Sequence, residues 1–137
     1  MITSEFERIL LNNAFRGDSS ELPATYYTGL CNNNLVTRDM TMSDIIEVVG
    51  DGYERKALPA SVTSWGEPQP QSDCTSIRSE QVSYSAASDW TSFNRMFLCD
   101  ASSGTDCKLL AISTPLANEV SLTTGVNYPA AFEFYLK

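Results

Sequence analysis

Asp44 and Glu47, and again Asp51 and Glu54, are acids three residues apart. On a helix that spacing places both carboxylates on one face, as a calcium site or a general acid–base pair needs. Neither pair follows the order of an EF-hand loop, and acids near a helix start are favoured by the helix dipole, so both read first as caps or solvated surface. The chain also holds four cysteines, Cys31, Cys74, Cys99 and Cys107, and no histidine. Without histidine, zinc would need all four thiolates to converge, and their irregular separations argue against that. The plainer reading is half-buried thiols in a reducing compartment. The sharper one pairs Cys99 with Cys107 as a disulfide across the turn at 100–106, for a protein that meets an oxidising environment. The missing histidine also removes the commonest general base and the Ser-His and Cys-His nucleophile pairs. No Gly-x-Ser-x-Gly elbow, P-loop or dinucleotide fingerprint surrounds the abundant Ser and Thr. The expectation is a protein that is not an enzyme, with no catalytic residue, metal or cofactor.

Aromatic residues offer a second kind of site. Tyr26, Tyr27, Tyr53, Trp65, Tyr84, Trp90, Phe93 and Phe97 could line a groove that stacks on sugar rings, or could fill a β-core, the commoner use of aromatics at strand spacing. Tyr26 and Tyr27 are adjacent, so in one strand they point to opposite faces.

These side chains must be carried by a frame of limited size. A chain of 137 residues, 42% hydrophobic and 19% charged, fits one domain that buries roughly two-thirds of its unfolded surface. Its net charge of −8, with scattered Lys and Arg, excludes the clustered basic surface that nucleic acid requires. No segment approaches the ~18 apolar residues of a membrane span, and the acidic first residues lack the pattern of a signal peptide, so synthesis in the cytoplasm is expected.

Ser4 to Glu7 fits a capping box, and Phe6, Ile9, Leu10 and Ala14 recur at helical spacing, which predicts a helix ending near Asn12-Asn13. So short a helix needs a surface to lie on, either its own domain or another chain. Phe6, Ile9 and Leu10 are the candidate assembly contacts. Arg16-Gly17-Asp18 reads as part of an exposed loop. The division is residues 1–20 as a helix or docking arm and 21–137 as a single antiparallel β-domain.

Within that domain, Ala24–Cys31 is rich in β-branched and aromatic residues and reads as a first, central strand. Thr41 to Asp44 is a second capping-box match, before a short helix or turn ended by Gly50. The joint Gly50-Asp51-Gly52 leads into a strand starting at Tyr53. Asn94–Cys99 and the near-continuous apolar run Lys108–Ser113 read as partners, the latter covered on both faces. Val82 and Tyr84 share a face, and Ala131–Leu136 is a last alternating strand. Seven or eight short strands predict a mainly β fold, an antiparallel sandwich (jelly-roll-like) or small barrel with a short N-terminal helix.

Tyr26-Tyr27-Thr28-Gly29-Leu30-Cys31, then Gly50-Asp51-Gly52-Tyr53-Glu54-Arg55, then Trp65-Gly66, resembles a group of small tailed-bacteriophage virion proteins with the pattern Tyr-x-Gly-Leu, Glu-x-x-Gly-x-Gly-Tyr-x-Arg and Trp-Gly. The similarity continues through Trp90-Thr91, Leu109-Leu110-Ala111 and Gly125, while the four cysteines depart from it. The resemblance implies a β-sandwich built in several copies into the neck, tail or capsid surface. Its implied partners are portal or adaptor, tail and capsid proteins and further copies of itself, not nucleic acid or membrane. It carries no catalytic residues. Arg55 is expected beside Tyr53 on one side of a strand, covering an aromatic face. The alternative is a receptor- or glycan-binding module that uses exposed Tyr or Trp and the Asn32-Asn33-Asn34 loop.

Overall fold

The structure, a computed structural model, describes residues 1–136. Helix α1 spans Ser4–Arg16, and nine strands follow: β1 Thr25–Cys31, β2 Lys56–Pro59, β3 Gln69–Pro70, β4 Thr75–Arg78, β5 Val82–Ser85, β6 Arg95–Cys99, β7 Leu109–Ile112, β8 Asn127–Ala130 and β9 Glu133–Leu136. All pairings between strands are antiparallel. The fold is mainly β with one N-terminal helix, and its sheets stay open rather than closing into a barrel.

The helix starts one residue earlier than its capping box implies. Thr3 is the cap: its Oγ1 accepts the Phe6 N–H at 3.3 Å. The same hydroxyl donates to the Leu109 carbonyl at 2.7 Å, so the cap also fastens α1 to β7. The helix runs past Asn12-Asn13 and ends at Gly17, whose N–H returns to the Asn13 carbonyl. The Arg-Gly-Asp string is therefore a helix end, with Arg16 in the last turn and Gly17 as the left-handed cap. Phe6 and Ile9 are buried among the chain's own apolar residues, and Ile2 bridges Ala111 of β7. The segment expected to be a helix or docking arm is thus a helix laid along this chain's sheet.

A four-stranded sheet, in the order β2-β1-β6-β7, forms the centre. Side chains alternate across it. Leu30, Leu58, Met96 and Leu98 point to one face, where they meet α1, Tyr84, Phe93 and Phe132. Cys31, Phe97, Cys99 and Ile112 point to the other, where Met42, Val36, Met40 and Ile45 from the 32–48 segment cover them. The apolar run of β7 is explained by this double cover together with a bulge. Leu98 pairs with Ala111 and Cys99 with Leu109, leaving Leu110 as the extra residue.

The second layer is a long, interrupted ribbon. β4 pairs with β9 and β5 with β8, and the register slips by one residue between the two halves. At the slip, Ser79 N–H donates to the Phe132 carbonyl and Phe132 N–H to Ser79 Oγ, so a side chain stands in for the interrupted ladder. The stretch expected to begin as a strand at Tyr53 is instead an irregular lead-in, with regular pairing from Lys56. Gly50 permits a close crossing there, since a Cβ would lie 2.1 Å from Trp90 Cδ1. Gly52 has φ +83°, which side chains resist.

Candidate functional site

Two places concentrate unusual structure, one polar and closed, one apolar and open. The closed one is built on Arg55, which is 6% exposed. Its Nε and Nη2 donate to both oxygens of Glu47, at 2.9 and 2.8 Å, a bidentate pair. Nη1 donates to the Ala101 carbonyl and Nη2 to that of Gly104, at 3.1 and 2.8 Å. Nη1 also reaches Cys99 Sγ and Cys107 Sγ, at 3.6 and 3.8 Å. The guanidinium lies 5.4 Å from the centre of the Phe97 ring. Arg55 thus covers an aromatic, as expected, but that aromatic is Phe97 across the sheet and not Tyr53.

Tyr53 completes the cluster from the other side. Its hydroxyl donates to Glu47 Oε1 at 2.8 Å and accepts the Leu30 N–H at 3.0 Å. Burial, aided by the Glu47 charge, holds its phenol well above the usual range, so it stays a donor. The hydrogen bonds that the guanidinium donates to Glu47 likewise raise its pKa, and Arg55 remains charged. Gly29 gives this packing room, since a Cβ there would sit 2.4 Å from the Phe97 ring and 2.7 Å from the Tyr53 hydroxyl. The motif residues Gly29, Glu47, Tyr53 and Arg55 therefore meet in one buried knot. With its polar atoms engaged with one another, the knot ties three loops to the sheet.

The acid pairs do not come together as a site. Asp44 takes the Thr41 N–H at 2.8 Å as a capping box, and Glu47 belongs to Arg55. Asp51 uses its backbone carbonyl to accept Trp90 Nε1 at 2.8 Å, and Glu54 pairs with Lys56 at the surface. Among the described residues no three Cys, Asp or Glu side chains gather as a metal ion would require. Asn33 of the Asn32–Asn34 loop is buried, its side chain bonding the Asp44 carbonyl and the Ile46 N–H. That loop holds the cover in place. Of the eight aromatic residues read as a possible sugar surface, Tyr84, Trp90, Phe93 and Phe97 are buried. Cys99 and Cys107 are thiols in the structure.

The open place is an apolar groove between α1 and the β3-β4-β9 sheet. It has two adjoining lobes of about 260 and 210 Å³ that share Phe6, Tyr26, Ile77 and Phe134. Trp65 lines one lobe, and Leu10 and Leu136 the other. Of the candidate assembly contacts, Phe6 and Leu10 line this groove while Ile9 is enclosed at 1% exposure. Beside it runs β9, paired with β4 on one side and otherwise an edge. Phe134 and Leu136 share the groove face, and Tyr135, 46% exposed, lies between them on the opposite one.

The other sheet edges are guarded. Pro59 ends β2, Pro70 lies in β3 and Pro129 in β8, and proline cannot donate to an added strand. β7 is flanked by residues 1–3, and β5 packs near β2. Among the described residues, β9 is the edge with neither a proline nor a covering segment. Sequence reading caught β9 as a strand but not its exposure, because an edge is a property of sheet order. Prolines at the competing edges were the available signal.

A protein-family model described as Podophage GP4 fiber I protein gp80 matches residues 2–131. The chain belongs to this family. It is a tailed-phage fibre protein by that membership, and the resemblance read from Gly29, Gly50, Tyr53 and Arg55 is correct at the level of a phage virion component. The match covers both the Arg55 knot and most of the groove, and stops within two residues of the start of β9. A comparison with curated proteins finds no match. Among the described residues no helix is long and apolar enough to cross a membrane.

Proposed function

We propose that this chain is a non-catalytic building block of the fibre apparatus, present in several copies at the tail or neck, and joined to its neighbour through the β9 edge and the adjoining groove. The observation that carries this reading is the unguarded edge of β9 beside an apolar groove. Edge strands invite pairing with another chain, and folded proteins ordinarily blunt them. Here the remaining edges are blunted and this one is left apolar. An added strand would gain backbone hydrogen bonds from β9 and place alternate side chains against Phe134, Leu136 and Leu10.

The occupant in this reading is an extended apolar segment of a neighbouring virion protein. A second copy is disfavoured by charge, because each copy brings −8 to the contact. The groove is lined mostly by carbon, whereas a sugar site needs several convergent polar groups, so the glycan-binding alternative has less support. The neck and capsid surface remain within reach of the same mode of attachment.

The test is quantitative mass spectrometry of purified, nuclease-treated particles, with copy number set against the major capsid protein. A fixed stoichiometry in multiples of the tail or neck symmetry is the expected result. Copy numbers in the hundreds would move the protein to the head surface, and absence from the particle would end the reading.

A further inference from the structure

We propose that Cys99 and Cys107 form a disulfide site: two thiols lodged on Arg55, poised to join when the folded protein meets an oxidising medium. This goes beyond the role in the fibre and does not depend on where the subunit attaches. Both sulfurs approach one nitrogen, Arg55 Nη1, at 3.6 and 3.8 Å. The loop between them is folded around the same guanidinium. The Ala101 carbonyl receives Arg55 Nη1 at 3.1 Å and the Cys99 thiol at 3.2 Å. The Gly104 carbonyl receives Arg55 Nη2 at 2.8 Å and the Cys107 thiol at 3.6 Å. A loop wrapped on one cation thus brings its two terminal cysteines to the same guanidinium nitrogen.

The strand register places the two cysteines near each other but not opposite. The last pair of the β6–β7 ladder is Cys99 with Leu109, and Cys107 lies two residues beyond Leu109, a diagonal offset of about 7–8 Å that a disulfide spans only if the backbone moves. Both cysteines belong to the core group on the Arg55 side of the sheet, Cys99 within it and Cys107 against its edge. Closure needs movement of Cys107 alone, which is half-buried at the end of the exposed segment 102–106. Cys99 is fixed in the strand, and burial pushes its thiol up to about 12, so it does not begin the exchange.

The chemistry balances with a low-molecular-weight disulfide such as oxidised glutathione. The Cys107 thiolate attacks that disulfide, its S–S bond breaks, and one glutathione thiolate leaves. Cys99 then gives its proton to solvent and attacks Cys107 sulfur, releasing the second glutathione. The protein loses two electrons and two protons, and the oxidant becomes two thiols. A virion component passes from a reducing cell interior to an oxidising exterior, where such a bond persists. The bond would lock the loop that holds Arg55, and through Arg55 the cover over one face of the sheet.

The experiment treats the purified, folded full chain with oxidised glutathione, followed by alkylation, intact mass and peptide mapping. The expected result is a monomer lighter by two hydrogens and a Cys99–Cys107 linked peptide. Its melting temperature should rise by several degrees, fall back on reduction, and stay unchanged by oxidant in Cys107→Ser. Glutathione left on Cys107, a bond from Cys107 to another chain, or a link of either residue to a different cysteine would overturn the proposal, as would two thiols that stay alkylatable.

Discussion

The two faces of the central sheet are covered in opposite ways. On one, a helix and a ribbon of strands supply regular elements, and Phe6, Tyr84, Phe93 and Phe132 fill the space between layers. On the other, the irregular 32–48 segment lies over Phe97, Cys99 and Ile112. Regular elements satisfy their own backbone and can be held by apolar packing, at about 1.5–3 kcal/mol for each fully buried large side chain. An irregular cover cannot, because its N–H and C=O groups lack internal partners. This protein supplies them with the side chains of Asn33, Asn94 and Arg95, while the Arg55–Glu47 pair ties the end of the cover to the sheet. The lesson is that polar burial is concentrated where periodic structure is missing. It also explains why the sequence motif falls where it does: Glu47, Tyr53 and Arg55 hold a cover, with Arg55 buried and Glu47 and Tyr53 partly exposed.

The largest expected effect comes from removing the helix from the first face. Deletion of residues 1–13 takes Ile2, Phe6 and Ile9 out of the core, and cooperative unfolding should be lost when followed by circular dichroism. A domain that stays folded would show that the ribbon alone covers that face. Next is Arg55→Ala on the second face. It leaves Glu47 without its ion-pair partner and the Ala101 and Gly104 carbonyls without their N–H donors, so stability should fall by about 3 kcal/mol in urea unfolding. Hydrogen exchange should rise in 32–48 and 100–107 before it rises in β4 and β9. Uniform loss of protection would mean that the two covers are not separately held.

A smaller effect of opposite sign sharpens the comparison. Thr28 is fully buried on the regular face, and its Oγ1 finds no hydrogen-bond partner among the described residues. Thr28→Val keeps the shape and removes that orphan, so it should stabilise by about 1 kcal/mol, raising the midpoint of urea unfolding. A loss would show that the hydroxyl is satisfied in solution and that polar burial matters on both faces.

How much of this was legible in the sequence follows the same division. β1, β6, β7 and β9 announced themselves through alternation or an apolar run, and the Thr41–Asp44 capping box is present as read. The double cover of β7 was visible in Leu109–Ile112, although not the bulge at Leu110 that lets neighbours share a face. β8 was missed because Pro129 sits inside it, and proline argues against a strand unless the strand is an edge. The helix was ended too early, since Asn12-Asn13 resemble a stop while the true cap, Gly17, was absorbed into a familiar tripeptide. The pairing of Arg55 with Glu47 was hidden. Nothing periodic links a residue before β2 to one in an irregular cover, and tertiary contact alone decides it. The groove was half legible: Phe6 and Leu10 were singled out as contacts, but the partnering edge of β9 depends on the sheet order.

In the proposed reading the β9 edge with its groove meets the neighbouring virion protein, and the Arg55 face takes no part in that contact. The most direct test is incorporation of a Tyr135→Lys, Leu136→Glu double variant into particles, supplied in place of the parent chain and quantified by mass spectrometry of purified virions. Both side chains are about half exposed, so the variant should melt within a few degrees of the parent. The expected result is a folded protein that is missing from the particle. Incorporation at the parental level would contradict it and move the contact to another surface.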